Sequence, residues 1–239
     1  MKTPTGGWNT RPTPERAFDI CRPQLESHPA LRGAHLNDRG GIHPAFCEWM
    51  KTLVALFTCF ALTSALHASD AGRRVLAEIN FARTQPQAYA GIVARSGAGS
   101  RAAGEAVRFL ERAAPLPPLE YSDALSQAAL SHVLDQGGAG GFGHAGSDGT
   151  RSFARIARFG QWQGAVGENI DYGSRDARVI VVRLIVDEGV AGRKHRTNIF
   201  NKSYRVAGIA AGSHARFGGM CVMDFAGDFI AHGNGLAAR

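Results

Sequence analysis

The stretch Tyr204-Arg205-Val206-Ala207-Gly208-Ile209-Ala210-Ala211-Gly212-Ser213-His214-Ala215-Arg216-Phe217-Gly218-Gly219-Met220-Cys221-Val222-Met223-Asp224-Phe225 decides the fold class. It holds two β-rich runs, Tyr204–Ala211 and Phe217–Phe225, joined by a short polar connection at 212–216, which is a hairpin signal. Upstream the apolar period changes to that of a helix. From Arg73 the residues Val75, Leu76, Ile79 and Ala82 share one face, and Pro86 suits the first position of a second short helix carrying Tyr89, Ile92 and Val93. Residues 95–104 read as a loop, Glu105–Ala113 as a short helix, and Pro115–Leu119 as extended, because proline restricts itself and its neighbour. Ser122 is placed to cap a helix with Leu125, Ala128, Ala129, His132 and Val133 on one face. Residues 137–149 contain seven glycines and read as a loop. Thr150 then caps a helix with Phe153, Ile156 and Ala157, closed by Gly160. Val166–Tyr172 reads as a short strand, Ser174 or Asp176 as the cap of an apolar helix through Val186, and 187–203 as polar and irregular. Helices first, then strands with one helix between them, predict an α+β protein with helices packed on an antiparallel sheet.

The first 68 residues have another texture. Residues 1–49 hold six of the ten prolines, with scattered charge and no apolar period, and read as disordered or as a misassigned extension. At Met50 a single Lys51 is followed by the mostly apolar Leu53–Leu66 and then small residues, the layout of a secretory signal peptide. The reading adopted is translation from Met50, a signal peptide at 50–68, and a mature domain at 69–239, secreted or periplasmic. Cleavage falls after Ala68 or Ala65. The alternatives are a cytoplasmic tail followed by a short uncleaved anchor, or a buried core helix. A stable membrane span after cleavage is not expected, since no stretch reaches the roughly 20 apolar residues a spanning helix needs.

Composition narrows the function classes. Hydrophobic residues make up 44% and charged residues 20%, the balance of a globular protein. Removing residues 1–68 takes away seven Lys/Arg and five Asp/Glu and leaves a net charge of +5 from the +7 of the whole chain. The arginines are spread rather than clustered, which argues against a nucleic-acid partner. Of four cysteines only Cys221 lies beyond residue 68, so no disulfide forms within that domain, and its apolar setting reads as a small buried hydrophobe. Nothing suggests more than a monomer. No His-Glu-x-x-His, Gly-x-Ser-x-Gly or phosphate-cradling loop occurs.

The polar residues that stand out lie in irregular segments: His144 in the glycine loop, Glu168 in Gly167-Glu168-Asn169-Ile170, Asp187-Glu188, and His195 in Lys194-His195-Arg196-Thr197-Asn198-Ile199. Two imidazoles and two carboxylates suit a divalent metal site or an acid/base pair, although their spacing matches no local ligand motif. Against this stand bland readings. Glu168 bonds backbone N–H groups at a turn, His144 is solvated, and His195 is satisfied by its neighbours. His214 is a hairpin-tip residue, His132 a helix-face residue, and Asp148 and Asn198 are turn and cap residues. Ser147 is the one nucleophile that can be named near His144, and same-loop proximity is poor evidence for a hydrolytic pair.

These segments, in this order, resemble the CAP superfamily, or SCP domain, of cysteine-rich secretory, antigen-5 and pathogenesis-related proteins, in its cysteine-poor bacterial branch. The resemblance covers about residues 73–229. It is carried by Leu76–Arg83 with Asn80 and Arg83, by Pro117-Pro118-Leu119, by His144 with Ser147-Asp148-Gly149, by Gly167-Glu168-Asn169-Ile170, by His195–Ile199, and by Tyr204–Ile209 with Met223-Asp224-Phe225. It implies an α-β-α sandwich with a central antiparallel sheet flanked by helices. It also implies a cleft of His144, Glu168, Glu188 and His195, with Asp187 as the alternative to Glu188, and with Ser147 and Asn169 in secondary places. Leu184-Ile185-Val186-Asp187 stands where the family carries a tryptophan, and Lys194 where it carries glycine. The function so implied is a secreted module whose cleft takes a divalent cation (Zn, Mg or Ca) at His144 and His195, and a small molecule, lipid, peptide or protein partner. The alternative is a metal- or His/Glu-assisted, peptidase-like hydrolase. A structural envelope protein is a third reading with no specific support.

Overall fold

A computed structural model describes residues 70–96 and 99–232. The expectations for 1–49 and for the signal peptide at 50–68 lie outside the described residues. Helix α1 runs over 70–84, with Val75, Leu76, Ile79 and Ala82 all buried as their period predicts. Helix α2, Pro86–Arg95, starts on its proline. Helix α3, Arg101–Arg112, begins four residues before its expected start, because the Ser100 side chain accepts from Ala103 N and two alanines propagate the turn. Residues 113–119 carry no regular structure, and Asn80 ties them to α1 by bonding the backbone of Leu119 in both directions, at 2.9 and 2.8 Å. The buried Arg83 donates to the carbonyls of Pro117, Ile199 and Asn201.

Strand β1 is only Glu120–Tyr121; helix α4, Asp123–Gly137, follows with Ser122 as its cap. Helix α5 is a single turn, Ser152–Ile156, preceded by Arg151 rather than capped by Thr150. Gly160 does not close it but opens strand β2, Gly160–Tyr172. The first part of this strand escapes a sequence reading because the register shifts between Gln163 and Val166 and breaks the alternation. Helix α6, Ala177–Val186, is capped by Asp176 through Val179 N. The 187–203 segment is not irregular throughout: it holds a 3₁₀ turn at Ala191–Arg193 and helix α7, Lys194–Ile199. Strands β3, Val206–His214, and β4, Gly218–Ala231, form the expected hairpin, with the turn narrowed to 215–217.

The sheet order is β1-β3-β4-β2. The long pairings β3–β4 and β4–β2 are antiparallel, and the two residues of β1 add a parallel edge. Side chains alternate along β4. Cys221, Met223 and Phe225 join the core shared with α1, α2, α3 and α6, whereas Met220, Val222 and Ala226 pack under α4 and α5. The chain is therefore an α+β sandwich with helices on both faces. Beyond β1, the N–H of Ile209 donates to the Ser126 hydroxyl of α4 at 3.0 Å, so the helix completes the edge that the short strand leaves open. This contact demands a close approach. A Cβ on Gly208 would stand 2.1 Å from the carbonyl carbon of Leu125. Gly208→Ala is expected to lower unfolding stability by about 2 kcal/mol or more in a denaturant titration, with the slope unchanged; a loss below about 0.5 kcal/mol would show that α4 is not seated on β3 as described.

Candidate functional site

Strand β2 is a sheet edge, and two successive residues at its buried end face opposite layers. Glu168 points to the α4–α5 side. Its Oε1 lies 2.7 Å from His144 Nδ1, and its Oε2 accepts from the guanidinium of Arg155 on α5. Asn169 points to the other side. Its Nδ2 donates to the carbonyl of His195 at 3.0 Å, and its Oδ1 accepts from Asn198 Nδ2 at 2.8 Å. The tetrapeptide begins with glycine for a steric reason, since a Cβ on Gly167 would stand 2.2 Å from the hydroxyl of Tyr204.

The glycine loop that carries His144 is pinned through its carbonyls. His214 donates to Gly141 O at 2.7 Å, His132 to Gly143 O at 2.9 Å, and Gln136 to Ala145 O at 2.7 Å. Arg155 adds a bond to the carbonyl of His144 itself at 3.3 Å, and Tyr172 accepts from Gly143 N at 2.9 Å. His214 is therefore no exposed hairpin tip. It is buried, its Nε2 holds the glycine loop, and its Nδ1 accepts from Arg216 N and Phe217 N. His132, on the buried face of α4, is held below its ordinary pKa by burial, which suits a neutral ring donating through Nε2.

The second histidine is held by Asp187. Its Oδ1 lies 2.7 Å from His195 Nδ1, and its Oδ2 accepts from His195 N at 2.8 Å and Arg196 N at 3.4 Å. One carboxylate thus orients the imidazole and caps α7, where it also meets the positive end of the helix. Asp187 terminates α6 in the left-handed region, φ 54°. Arg193, at φ 48°, returns a guanidinium to the Asp187 carbonyl at 2.7 Å and a second bond to Glu105. Glu188, by contrast, is exposed and has no bond to either histidine, although it lines the same cleft. Ser147 does not meet His144. Its hydroxyl and its N–H both bond Asp135, and these bonds hold the Asp135 carboxyl below its ordinary pKa.

Both histidines open onto one cavity of about 1070 Å³. The ring of His144 is 55% exposed and that of His195 22%. The lining includes an aromatic group, in which Phe142 stacks on Tyr172 at 4.9 Å and Phe217 lies 5.1 Å from Tyr172. Asp171 and Arg183 also line it and pair at 3.4 Å, and burial raises the Asp171 carboxyl to about 6. With each Nδ1 held by a carboxylate, each Nε2 is left as the nitrogen facing away from the protein's own acid, the arrangement found behind metal-bound histidines. Among the described residues no three His, Cys, Asp or Glu side chains converge on one point.

Two charged residues near Glu168 differ in how far the sequence marks them. Arg155 sits in a one-turn helix with nothing to mark it. Asp224 is a lone charge inside the apolar run Met220–Phe225, which is the signal that could have singled it out.

The chain matches the family model for CAP, the cysteine-rich secretory protein family, over residues 76–225. The match covers more than half of the sequence, and the chain belongs to the CAP family. No curated protein matches it. Among solved structures it is similar to an extracellular protein containing an SCP domain from Bacillus anthracis str. Ames, at 22% identity and TM-score 0.37, covering 46% of this chain and 34% of that one. It is also similar to an outer surface protein from Borrelia burgdorferi, at 19% identity and TM-score 0.40, covering 46% and 78%. A cysteine-rich secretory protein from Staphylococcus aureus subsp. aureus Mu50 follows at 15% identity and TM-score 0.33, covering 47% and 33%. The chain spans about a third of the length of the first and third of these. Among the described residues no helix is long and apolar enough to cross a membrane.

Arg155 is the partner that makes a buried Glu168 tolerable. Arg155→Met is expected to lower stability by about 3 kcal/mol or more, because it strands a carboxylate away from water. Adding Glu168→Gln should recover a large part of that loss. A loss under about 1 kcal/mol for the single variant would mean that the pair is hydrated rather than buried.

Proposed function

We propose that this CAP-domain protein is exported and that its cleft binds a divalent cation between His144 and His195, beside a small lipid or peptide ligand lying along the apolar wall. The observation that carries the reading is the pair of imidazoles, each with Nδ1 held by its own carboxylate, lining one cavity. Two imidazole nitrogens favour Zn²⁺ over Mg²⁺ or Ca²⁺, which prefer oxygen ligands. The cation would act there as an open-sided Lewis acid that accepts an oxygen of the ligand. Glu168 and Asp187 hold the rings and are not ligands in this reading. The aromatic group of Phe142, Tyr172 and Phe217 supplies the apolar contact for the ligand's body. The hydrolase alternative draws no support from Ser147, whose hydroxyl is bonded to Asp135.

Calorimetric titration of the chelator-stripped protein with Zn²⁺, Mg²⁺ and Ca²⁺ tests the reading. The expected result is saturable Zn²⁺ binding at about one site, abolished in the His144→Ala/His195→Ala double variant and retained in Glu188→Ala. No saturable binding, or binding that survives the double variant, would overturn it.

A further inference from the structure

Asp224, on β4, is 0% exposed, and neither of its carboxyl oxygens accepts a hydrogen bond from any described residue. Its surroundings explain why. On β2 the residue in register with it is Glu168, and on β3 it is Gly208, which brings no side chain. From α4 the titratable group on this side is His132, whose Nε2 is bonded to Gly143, whose Nδ1 has no partner, and whose pKa is lowered by burial. From α5 it is Arg155, whose terminal nitrogens bond Glu168 and the carbonyl of His144 and whose buried Nε has no partner and makes no bond to Asp224. A carboxylate at this position would face a second carboxylate across the ladder, and no described donor bonds it. A carboxylic acid has one O–H to give, and Glu168 is the acceptor standing directly across the ladder on the same face.

We propose that Asp224 is held as a neutral carboxylic acid that donates its hydrogen bond to the carboxylate of Glu168, and that it positions His144 from inside the sheet. Glu168 then has three partners. His144 Nδ1 lies on Oε1, Arg155 bonds Oε2, and the Asp224 O–H fixes the carboxylate plane from below. The group Arg155–Glu168–Asp224 carries no net charge, which is what permits its burial. Burial and the nearby Glu168 charge both push the Asp224 carboxyl well above its ordinary value, while Arg155 opposes them. The inference rests on the described geometry and not on the cation reading, and its test uses no metal.

The protonation state has a signed consequence. An unfolded aspartic acid ionises near pH 3.9, so above that pH the folded chain keeps a proton that the unfolded chain has lost. The stability that neutral Asp224 contributes is therefore fully present below about pH 4 and is lost as pH rises toward the folded value. Asp224→Asn removes this term and keeps a donor facing Glu168. The Tm of the full-length variant minus that of wild type should become more positive between about pH 4 and pH 8. An ionised, ion-paired Asp224 would give a difference that is flat or falls over this range, and either result would overturn the proposal. Carbon NMR of wild-type protein labelled at aspartate carboxyls gives a second reading that needs no variant: the Asp224 resonance should sit at its protonated position at neutral pH, and an ionised resonance contradicts the proposal. The ¹⁵N shifts of the His144 ring separate positioning from bulk structure. They should stay as in wild type in Asp224→Asn and move in Asp224→Ala, and shifts that move in neither variant would contradict positioning.

Discussion

A carboxylate whose side chain is 2% exposed has to be neutralised where it stands, and the way Glu168 is neutralised shapes this molecule. The requirement brings Arg155 down from α5 and draws the ring of His144 onto the opposite oxygen. Arg155 in turn bonds the carbonyl of His144, so one guanidinium fixes both the acid and the backbone of the histidine it orients. The glycine loop can serve this end because its carbonyls at 141, 143 and 145 each have a donor from α4 or β3. Glycine gives the loop freedom, and these three bonds remove it.

The edge strand makes one cleft from two unrelated supports. Because side chains alternate, Glu168 and Asn169 face different layers, and each tethers a histidine delivered by a different segment. On the α6 side the acid is Asp187, at the end of a helix, and it does two tasks with one carboxylate: it caps α7 and holds His195. Pairing β2 with β4 over eleven registered positions keeps these supports in fixed relation. The aromatic group in the cavity lining takes Tyr172 from the same strand, so a single edge strand both supports the histidines and lines the cavity.

Much of this was legible in the sequence, for physical reasons that differ by element. The helical faces of α1 and α4 and the caps at Ser122 and Asp176 follow from local rules, and the structure keeps them. The hairpin was readable because both runs are long and apolar. The start of β2 was not, since the bulge between Gln163 and Val166 reverses the side-chain phase. Helix α7 was hidden because its cap comes from Asp187, several residues upstream, rather than from the preceding position. For the site, His144, Glu168 and His195 carried family motifs. The choice between Asp187 and Glu188 could not be made from adjacent acids; the left-handed turn at Asp187 is what brings that carboxylate to His195 and leaves Glu188 in solvent. Arg155 needed the tertiary fold.

Both histidines present the same face to one cavity because each is held by a carboxylate at Nδ1. Long-range ¹H–¹⁵N correlation of the full-length protein at neutral pH reads the tautomer of each ring directly. His144 and His195 are both expected to carry their proton on Nδ1, with Nε2 bare. A proton on Nε2 of either ring would contradict it, and the cleft would then be a hydrogen-bonded cluster rather than a binding site.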